Sequence, residues 1–180
     1  MLQFDPVFQT KDNRGTKELR QRLGPVCSSH KTWLGRGYYF WDGHIELAQW
    51  WGERHYHGNY VICQACIELE KEMLFDLYGN TSDQKVFNIV LQALHKKYPN
   101  QQLTVPAVLD DMNAHSEEFR KMKAIRASSE HCIPQAERVK YIDGQYGTHL
   151  TIPAIQICAK DLNVIKGYDE LPLDNTNHVV

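Results

Sequence analysis

The stretch Trp33-Leu34-Gly35-Arg36-Gly37-Tyr38-Tyr39-Phe40-Trp41-Asp42 decides how this chain is interpreted. Two glycines precede four consecutive aromatic residues, and a short amphipathic segment, residues 45–51, follows. Glycine at the start of a strand lets the backbone approach a ligand or another segment closely. Aromatic side chains just beyond it offer flat faces that stack on planar rings. The pattern therefore predicts either a nucleotide-type pocket or a buried aromatic strand after a glycine turn.

The composition is that of an ordinary globular protein. The 180 residues are 42% hydrophobic and 23% charged, which predicts a single domain, 1–180. The formal net charge of −2 gives no support to an electrostatic nucleic-acid binder. The sequence has no apolar run long enough to cross a bilayer and no secretory signal pattern. Five cysteines, an odd number, predict reduced thiols. We therefore expect a cytoplasmic protein without a membrane partner, and specialised secretion stays open.

Residue periodicity predicts an α+β domain with a mixed or antiparallel sheet. The order is strand-rich, then helical, then strand-rich again, which differs from a regular βαβ series. A helical insertion is expected near 81–125. The predicted strands are 6–10, 38–41, 60–69, 138–142, 152–159 and 164–168, and the predicted helices are 15–23, 45–51, 81–98 and 106–125.

The segment Cys63-Gln64-Ala65-Cys66 has the spacing of half a zinc site. Residues 60–69 nevertheless alternate in the manner of a strand, and this alternation directs Cys63 and Cys66 to opposite faces. A chelating turn needs both thiolates on one side. We therefore predict a strand and no metal site.

The segment Gln135-Ala136-Glu137 is the second candidate for chemistry. In an extended segment, residues two apart project to the same side, so a glutamine and a glutamate would face one pocket. A carboxylate there can stabilise an oxocarbenium-like centre as a glycosidic bond breaks. The alternative is a surface loop in which Glu137 is solvated.

Several of these segments resemble the ADP-ribosyltransferase superfamily, in its diphtheria-toxin-like and poly(ADP-ribose) polymerase branch. Residues 35–40 resemble the family's Gly-x-Gly-x-Tyr-Phe strand. Residues 137–142 with Gln145 resemble the strand that carries the catalytic glutamate, and Gln135-x-Glu137 is similar to the signature of the arginine-modifying branch. Residues 154–168 resemble the end of uncharacterised bacterial and phage proteins with this core. Residues 73–127 carry no such resemblance.

The resemblance implies a mono-ADP-ribosyltransferase that cleaves NAD in a cleft between two split mixed or antiparallel sheets. Tyr39 would stack on the nicotinamide ring. Glu137 would stabilise the positive charge that develops as nicotinamide leaves, and Gln135 would help to hold the acceptor. NAD is a substrate here and no metal is implied. The implied catalytic residues are Glu137, Gln135 and Tyr39, and the implied NAD-binding residues are Gln9, Thr10, Gly35, Gly37, Tyr38 and Tyr39.

The first strand departs from the family pattern. Gln9 stands where a histidine usually contacts the adenosine ribose, and Thr10 stands where a glycine admits the ligand. This departure favours an alternative, a catalytically degenerate member that binds a nucleotide or a partner. A third possibility is a structural α+β protein whose middle helices form a partner surface. The near-neutral charge makes a protein acceptor more plausible than a nucleic acid.

Overall fold

The structure is a computed structural model that describes residues 1–20, 22–23, 26–28, 32–129, 133–144 and 147–172. Gln145, part of the resemblance to the family, lies outside the described residues. The strands in the described part of the chain are β1 (Leu2–Asp12), β2 (Tyr38–Asp42), β3 (Tyr60–Leu69), β4 (Leu74–Asp76), β5 (Ala124–Ser129), β6 (Arg138–Lys140), β7 (Thr148–Leu150), β8 (Ala154–Ala159) and β9 (Ile165–Glu170). The α-helices are α1 (Lys17–Arg20), α2 (Ile45–Tyr56), α3 (Thr81–Lys97), α4 (Val105–His115) and α5 (Glu117–Arg120), and the short 3-10 turns are Lys71–Met73 and Leu162–Val164.

Seven of the strands form one sheet in the order β4-β5-β8-β2-β1-β3-β9. Neighbouring strands in this sheet are antiparallel, except that β4 and β5 are parallel. Strands β6 and β7 pair separately as an antiparallel two-stranded sheet. The predicted α+β class with a mixed sheet is confirmed.

The large sheet carries apolar clusters on both faces, because neighbouring residues of a strand point to opposite sides. Val7 of β1 and Phe40 of β2 belong to a cluster on one face. The adjacent Phe8 and Trp41 belong to a cluster on the other face, together with Leu47 of α2. Helices α3, α4 and α5 pack beside α2 on that second face, against β4, β5 and β8.

The central strands β1 and β2 separate towards one end of the sheet. They pair only at Val7 with Asp42 and at Phe8 with Trp41. Beyond that point β1 continues its pairing with β3 as far as Asp12, and β2 continues its pairing with β8. Each strand thus keeps its outer neighbour while the inner edges diverge, which opens a gap in the middle of the sheet.

The predicted end of the second helix is wrong, because α2 continues through Gly52 to Tyr56. Gly52 lies inside the helix where α2 packs directly on the ring of Tyr60. A Cβ atom at this position would lie 2.5 Å from the ring atoms of Tyr60. The helix is instead followed by His57 and Gly58, which both adopt the left-handed conformation with φ values of 52° and 80°.

The helix predicted over 106–125 is also wrong at its end. The helical segment is interrupted at Ser116, whose side chain accepts a hydrogen bond from Phe119 N (3.1 Å) and begins α5. Ile125 lies in β5, paired with both β4 and β8. Its apolar character fits a helical period and a buried strand equally well, so local pattern does not separate the two.

Other predicted boundaries differ from the structure, among them those of the strands predicted over 138–142, 152–159 and 164–168, which span Arg138–Lys140, Ala154–Ala159 and Ile165–Glu170. The first strand is longer than 6–10, since β1 spans Leu2–Asp12 and pairs with β3 over most of its length. The helix predicted over 15–23 is a single turn, Lys17–Arg20. Three strands were not predicted, namely Leu74–Asp76, Ala124–Ser129 and Thr148–Leu150.

Arg126 joins three strands on the face opposite the helices. Its Nε atom lies 2.7 Å from Asp42 Oδ2, and its Nη1 atom lies 3.2 Å from Asp76 Oδ2. The three side chains are about 13–15% exposed. Removal of one partner from such a largely buried network leaves an uncompensated charge, so this cluster fixes the relative positions of β2, β4 and β5.

Candidate functional site

A cavity of about 410 Å³ lies where β1 and β2 diverge, and α2 forms one of its walls. We call it the Tyr39 cavity. Residues of β1 and β2 at the gap line the cavity, and Cys27, Thr32 and Trp33 belong to its described lining as well. Its described lining residues are Gln9, Thr10, Cys27, Thr32, Trp33, Tyr39, Trp41, Trp51, His55, Tyr56 and Gln156.

The ring of Tyr39 is held in place by its hydroxyl group. The Tyr39 oxygen accepts a hydrogen bond from Leu34 N (2.9 Å), and the hydroxyl donates one to Gly35 O (2.7 Å). Gly35 has a φ of +79°, which L side chains rarely adopt. Burial raises the pKa of Tyr39 far above its usual value. The glycine turn therefore fixes a neutral tyrosine ring at the cavity.

Gln9 bridges the gap between the diverging strands. Its Nε2 atom donates to Tyr39 O on β2 (3.2 Å), and its Oε1 atom accepts from the hydroxyl of Tyr168 on β9 (2.7 Å). Beside it, Thr10 Oγ1 donates to Ala48 O of α2 (2.6 Å). The Gln9 amide thus links β1 to β2 where their backbone pairing has ended, and Thr10 links β1 to α2. Gln9, Thr10 and Tyr39 all line one cavity.

Aromatic side chains that the sequence reasoning did not single out as site residues form much of the remaining lining. The rings of Trp51 and His55 stack with centroids 3.7 Å apart at 30°, and Trp41 lies 6.1 Å from Trp51. Trp51 and His55 are four residues apart on α2, so helical spacing puts them on one face. That spacing was the available signal, but it becomes visible only once α2 extends beyond Gly52.

Gln156 is a further lining residue that the sequence did not identify. It lies on β8 opposite Trp41, and its Oε1 atom accepts a hydrogen bond from Trp33 Nε1 (2.6 Å). An indole N–H group is only a donor, so this bond determines which end of the amide is the oxygen. The Nε2 group of Gln156 is thereby left as a donor group of fixed orientation.

The described lining of the Tyr39 cavity contains no aspartate, glutamate, lysine or arginine. Its polar groups are the neutral amides of Gln9 and Gln156, the hydroxyls, the indole N–H groups, one thiol and the imidazole of His55. Recognition by these residues therefore depends on ring faces and on neutral hydrogen-bonding groups.

The other residues of the glycine-aromatic motif lie around the cavity rather than in it. Tyr38 packs against the apolar cluster on the opposite face of the sheet, as strand alternation requires. Gly37 pairs with Cys27 through two backbone hydrogen bonds of 2.9 and 3.0 Å. Gly35 borders a different cavity. The structure thus brings Tyr39 to the cavity and leaves Tyr38 outside it.

The structure does not bring Gln135 and Glu137 into the described lining of the Tyr39 cavity. Glu137 is exposed, and its backbone N–H group donates to Thr151 Oγ1 (2.9 Å). Gln135 lines a separate cavity of about 440 Å³, together with Trp50 and Glu53 of α2. The ring of Trp50 nevertheless lies 6.2 Å from that of Trp51, so the two cavities are lined by neighbouring aromatic residues of α2.

The two cysteines of the Cys-x-x-Cys segment differ in their surroundings. Both lie on β3, where Cys63 is buried and Cys66 is partly exposed. Burial raises the pKa of the Cys63 thiol. Among the described residues there is no group of three or more His, Cys, Asp or Glu side chains that could hold a metal ion.

The free energy of unfolding is expected to fall as pH rises above about 10, the usual pKa of tyrosine. Burial raises the pKa of Tyr39, Tyr56 and Tyr168, and burial with the nearby Glu53 carboxylate raises that of Tyr60 to about 12. In that range the unfolded chain releases protons that the folded chain keeps, so unfolding becomes more favourable. Burial lowers the pKa of Lys11, so the titration of this residue increases the free energy of unfolding as pH rises. The four tyrosines act in the opposite direction, and we expect their combined effect to be larger.

Urea denaturation between pH 8 and pH 11 measures this dependence. A Tyr60→Phe variant serves as the control, since it lacks one of the titrating hydroxyls and should lose less stability over the same interval. Stability that stays constant or increases up to pH 11 would contradict the expectation.

In the described part of the chain, no helix combines the length and the apolar character needed to cross a membrane. Comparison of the chain with protein-family models, with curated proteins and with solved structures finds no match.

Proposed function

We propose that this protein binds NAD in the Tyr39 cavity and transfers ADP-ribose from it to an acceptor. The observation that carries the proposal is the convergence of Gln9, Thr10 and Tyr39. The family resemblance implies all three as NAD-binding residues, and they line one cavity although they come from two strands 30 residues apart. The resemblance implies a cleft between two sheets, whereas β1 and β2 belong to one seven-stranded sheet, so the proposed NAD site lies at the gap where these two strands part.

The chemistry of the lining suits a planar heteroaromatic ring. Each ring–aromatic contact contributes about 1 kcal/mol beyond the area it buries, and Tyr39, Trp41 and Trp51 offer several faces. The amide of Gln156 and the hydroxyl of Thr10 supply neutral hydrogen-bonding groups next to these faces. A nicotinamide ring carries a neutral carboxamide, which matches such groups.

The transfer reaction requires more of the ligand than its ring. In the proposed reaction the bond between nicotinamide and ribose breaks, and the nicotinamide keeps the electron pair. The acceptor attacks the ribose carbon with a lone pair and releases its proton to water. Glu137 would stabilise the positive charge that develops on the ribose as the nicotinamide leaves and before the acceptor bond has formed. Since Glu137 does not belong to the described lining of the Tyr39 cavity, the ribose must extend from the cavity towards the segment 135–137.

The second candidate function is nucleotide binding without catalysis. The neutral lining favours it, because the described residues around the Tyr39 cavity offer no carboxylate to stabilise a developing positive charge. The departure at Gln9 and Thr10 from the family pattern points the same way. Both candidates share the NAD-binding step and differ only in nicotinamide release.

We expect Gln156→Leu to weaken NAD binding about tenfold, because the substitution removes an amide whose orientation is fixed by Trp33. Isothermal titration of the purified chain with NAD measures the affinity. Chromatographic detection of free nicotinamide in the same samples measures cleavage, and mass spectrometry of a treated lysate identifies any acceptor.

Gln92→Leu is the matched control, because Gln92 is exposed on α3 and does not belong to the described lining of the Tyr39 cavity. Its NAD affinity should equal that of the wild type. A folded wild-type protein that does not bind NAD, or a Gln156→Leu variant with unchanged affinity, would contradict the proposed site.

A further inference from the structure

A second cavity, of about 290 Å³, is lined in part by the glycine turn at residues 34–36. Its described lining includes basic residues. We call it the Arg120 cavity. Its floor is apolar and includes the buried residues Leu109, Phe119 and Ile125. Its lining is separate from that of the Tyr39 cavity, and the two share no described residue.

Three basic residues from different parts of the chain line this cavity. Arg36 comes from the glycine turn, Arg120 from the end of α5, and Lys160 from the residue after β8. Asp110 of α4 is the single carboxylate among the described lining residues. Cations thus outnumber anions three to one around an apolar floor.

Two of these cations are held in place by backbone carbonyl groups. Lys160 Nζ donates to Leu34 O (2.5 Å) and to Arg36 O (2.8 Å). Arg120 Nη1 donates to Asn113 O (2.9 Å) and to Ala114 O (3.1 Å). A guanidinium group has five donors, so Arg120 keeps donors for a ligand. An ammonium group has only three, and Lys160 also contacts the Cys158 thiol, so Lys160 contributes chiefly its positive charge.

We propose that the Arg120 cavity binds a small organic anion, a phosphate or carboxylate group attached to a compact apolar body. The anionic group pairs with Arg36, Arg120 and Lys160, because charge-assisted hydrogen bonds to such groups are the strongest that a protein surface offers. The apolar body packs on the floor formed by Leu109 and Phe119. A neutral molecule of the same shape gains only the second contribution.

Titration with phenyl phosphate, with phenol as its neutral counterpart, tests the site. We expect the wild-type chain to bind phenyl phosphate at least about tenfold more tightly than phenol. Arg36→Gln should weaken phenyl phosphate binding about tenfold, and Arg36 is exposed, so the fold should tolerate the change. Asp110→Asn should strengthen binding a few-fold, a gain that misfolding cannot produce.

Arg138→Gln is the matched control, because Arg138 is an exposed arginine of β6 outside the described lining of this cavity. Its affinity should equal that of the wild type. Equal affinity for phenol and phenyl phosphate, or no binding of either, would overturn the proposal. So would a loss with Arg138→Gln as large as that with Arg36→Gln. None of these outcomes depends on NAD binding, so the proposed function is tested separately.

Discussion

Replacing Gly37 by alanine is expected to destabilise the protein by about 3 kcal/mol or more. A Cβ atom at this position would lie 2.4 Å from Cys158 Sγ and 2.6 Å from Ala159 O. The second neighbour is a backbone atom of the central strand β8, which pairs with both β2 and β5 and cannot shift without disturbing them. Urea denaturation followed by tryptophan fluorescence measures the loss.

Gly43→Ala is the matched control for this substitution. Gly43 directly follows β2 and has a φ of +74°, but a Cβ atom there would meet nothing within 4 Å. Its cost is therefore the conformational penalty alone, about 1–2 kcal/mol. If Gly37→Ala costs no more than Gly43→Ala, close packing against β8 is not the reason for glycine at position 37.

Glu137→Gln is expected to reduce nicotinamide release about a hundredfold or more and to leave NAD affinity within a few-fold of the wild type. The loss follows from removing the carboxylate that stabilises the transition state, an effect of this size when a comparable electrostatic group is removed elsewhere. The preserved affinity follows from the position of Glu137, which is exposed and outside the described lining of the Tyr39 cavity. Parallel measurements of release and calorimetric affinity separate the two effects.

The outcome distinguishes the two candidate functions. Release that is lost in Glu137→Gln while binding persists supports the transferase and its catalytic carboxylate. Binding of NAD without release from either protein supports the non-catalytic alternative. Full release from a folded Glu137→Gln variant would contradict the role assigned to Glu137. Arg138→Gln, at the next residue and the first of the exposed strand β6, controls for general disturbance of this segment.

The sequence was sufficient to predict a helix or strand where the pattern of apolar residues follows the burial of that same segment. The alternation over Tyr60–Leu69 predicted β3 with its observed bounds. The apolar stripe of 81–98 predicted α3, whose first turn is capped by Asn80, the side chain of which accepts from Ser82 N. Burial alternates along β3 from Cys63 to Leu69, so the strand period is visible in the sequence. Along α3 only Leu94 is buried, and Val90 and Leu91 pack partly against the same apolar cluster, whereas Val86 and Ile89 are exposed.

The local sequence pattern gave the wrong secondary structure where packing against a distant segment determines the conformation of a residue. Glycine is typical of a helix end, but Gly52 lies inside α2. The Tyr60 ring occupies the space that a side chain at position 52 would need. For the same reason the stacking of Trp51 on His55 was not predicted, since the predicted helix ended before it reached His55. Ile125 fitted the helical period of the segment before it, although β4 and β8 hold it in a strand.

The sequence by itself determined the α+β class, the long strand β3 and the glycine-aromatic motif that holds Tyr39. Only the tertiary structure decided that β1 and β2 part after Phe8, that Gln156 and the α2 aromatics meet Tyr39 there, and that Glu137 lies elsewhere. The physical reason is that a cavity forms where two strands stop pairing. That event depends on the register of each strand with its other neighbour, which no single segment of sequence records.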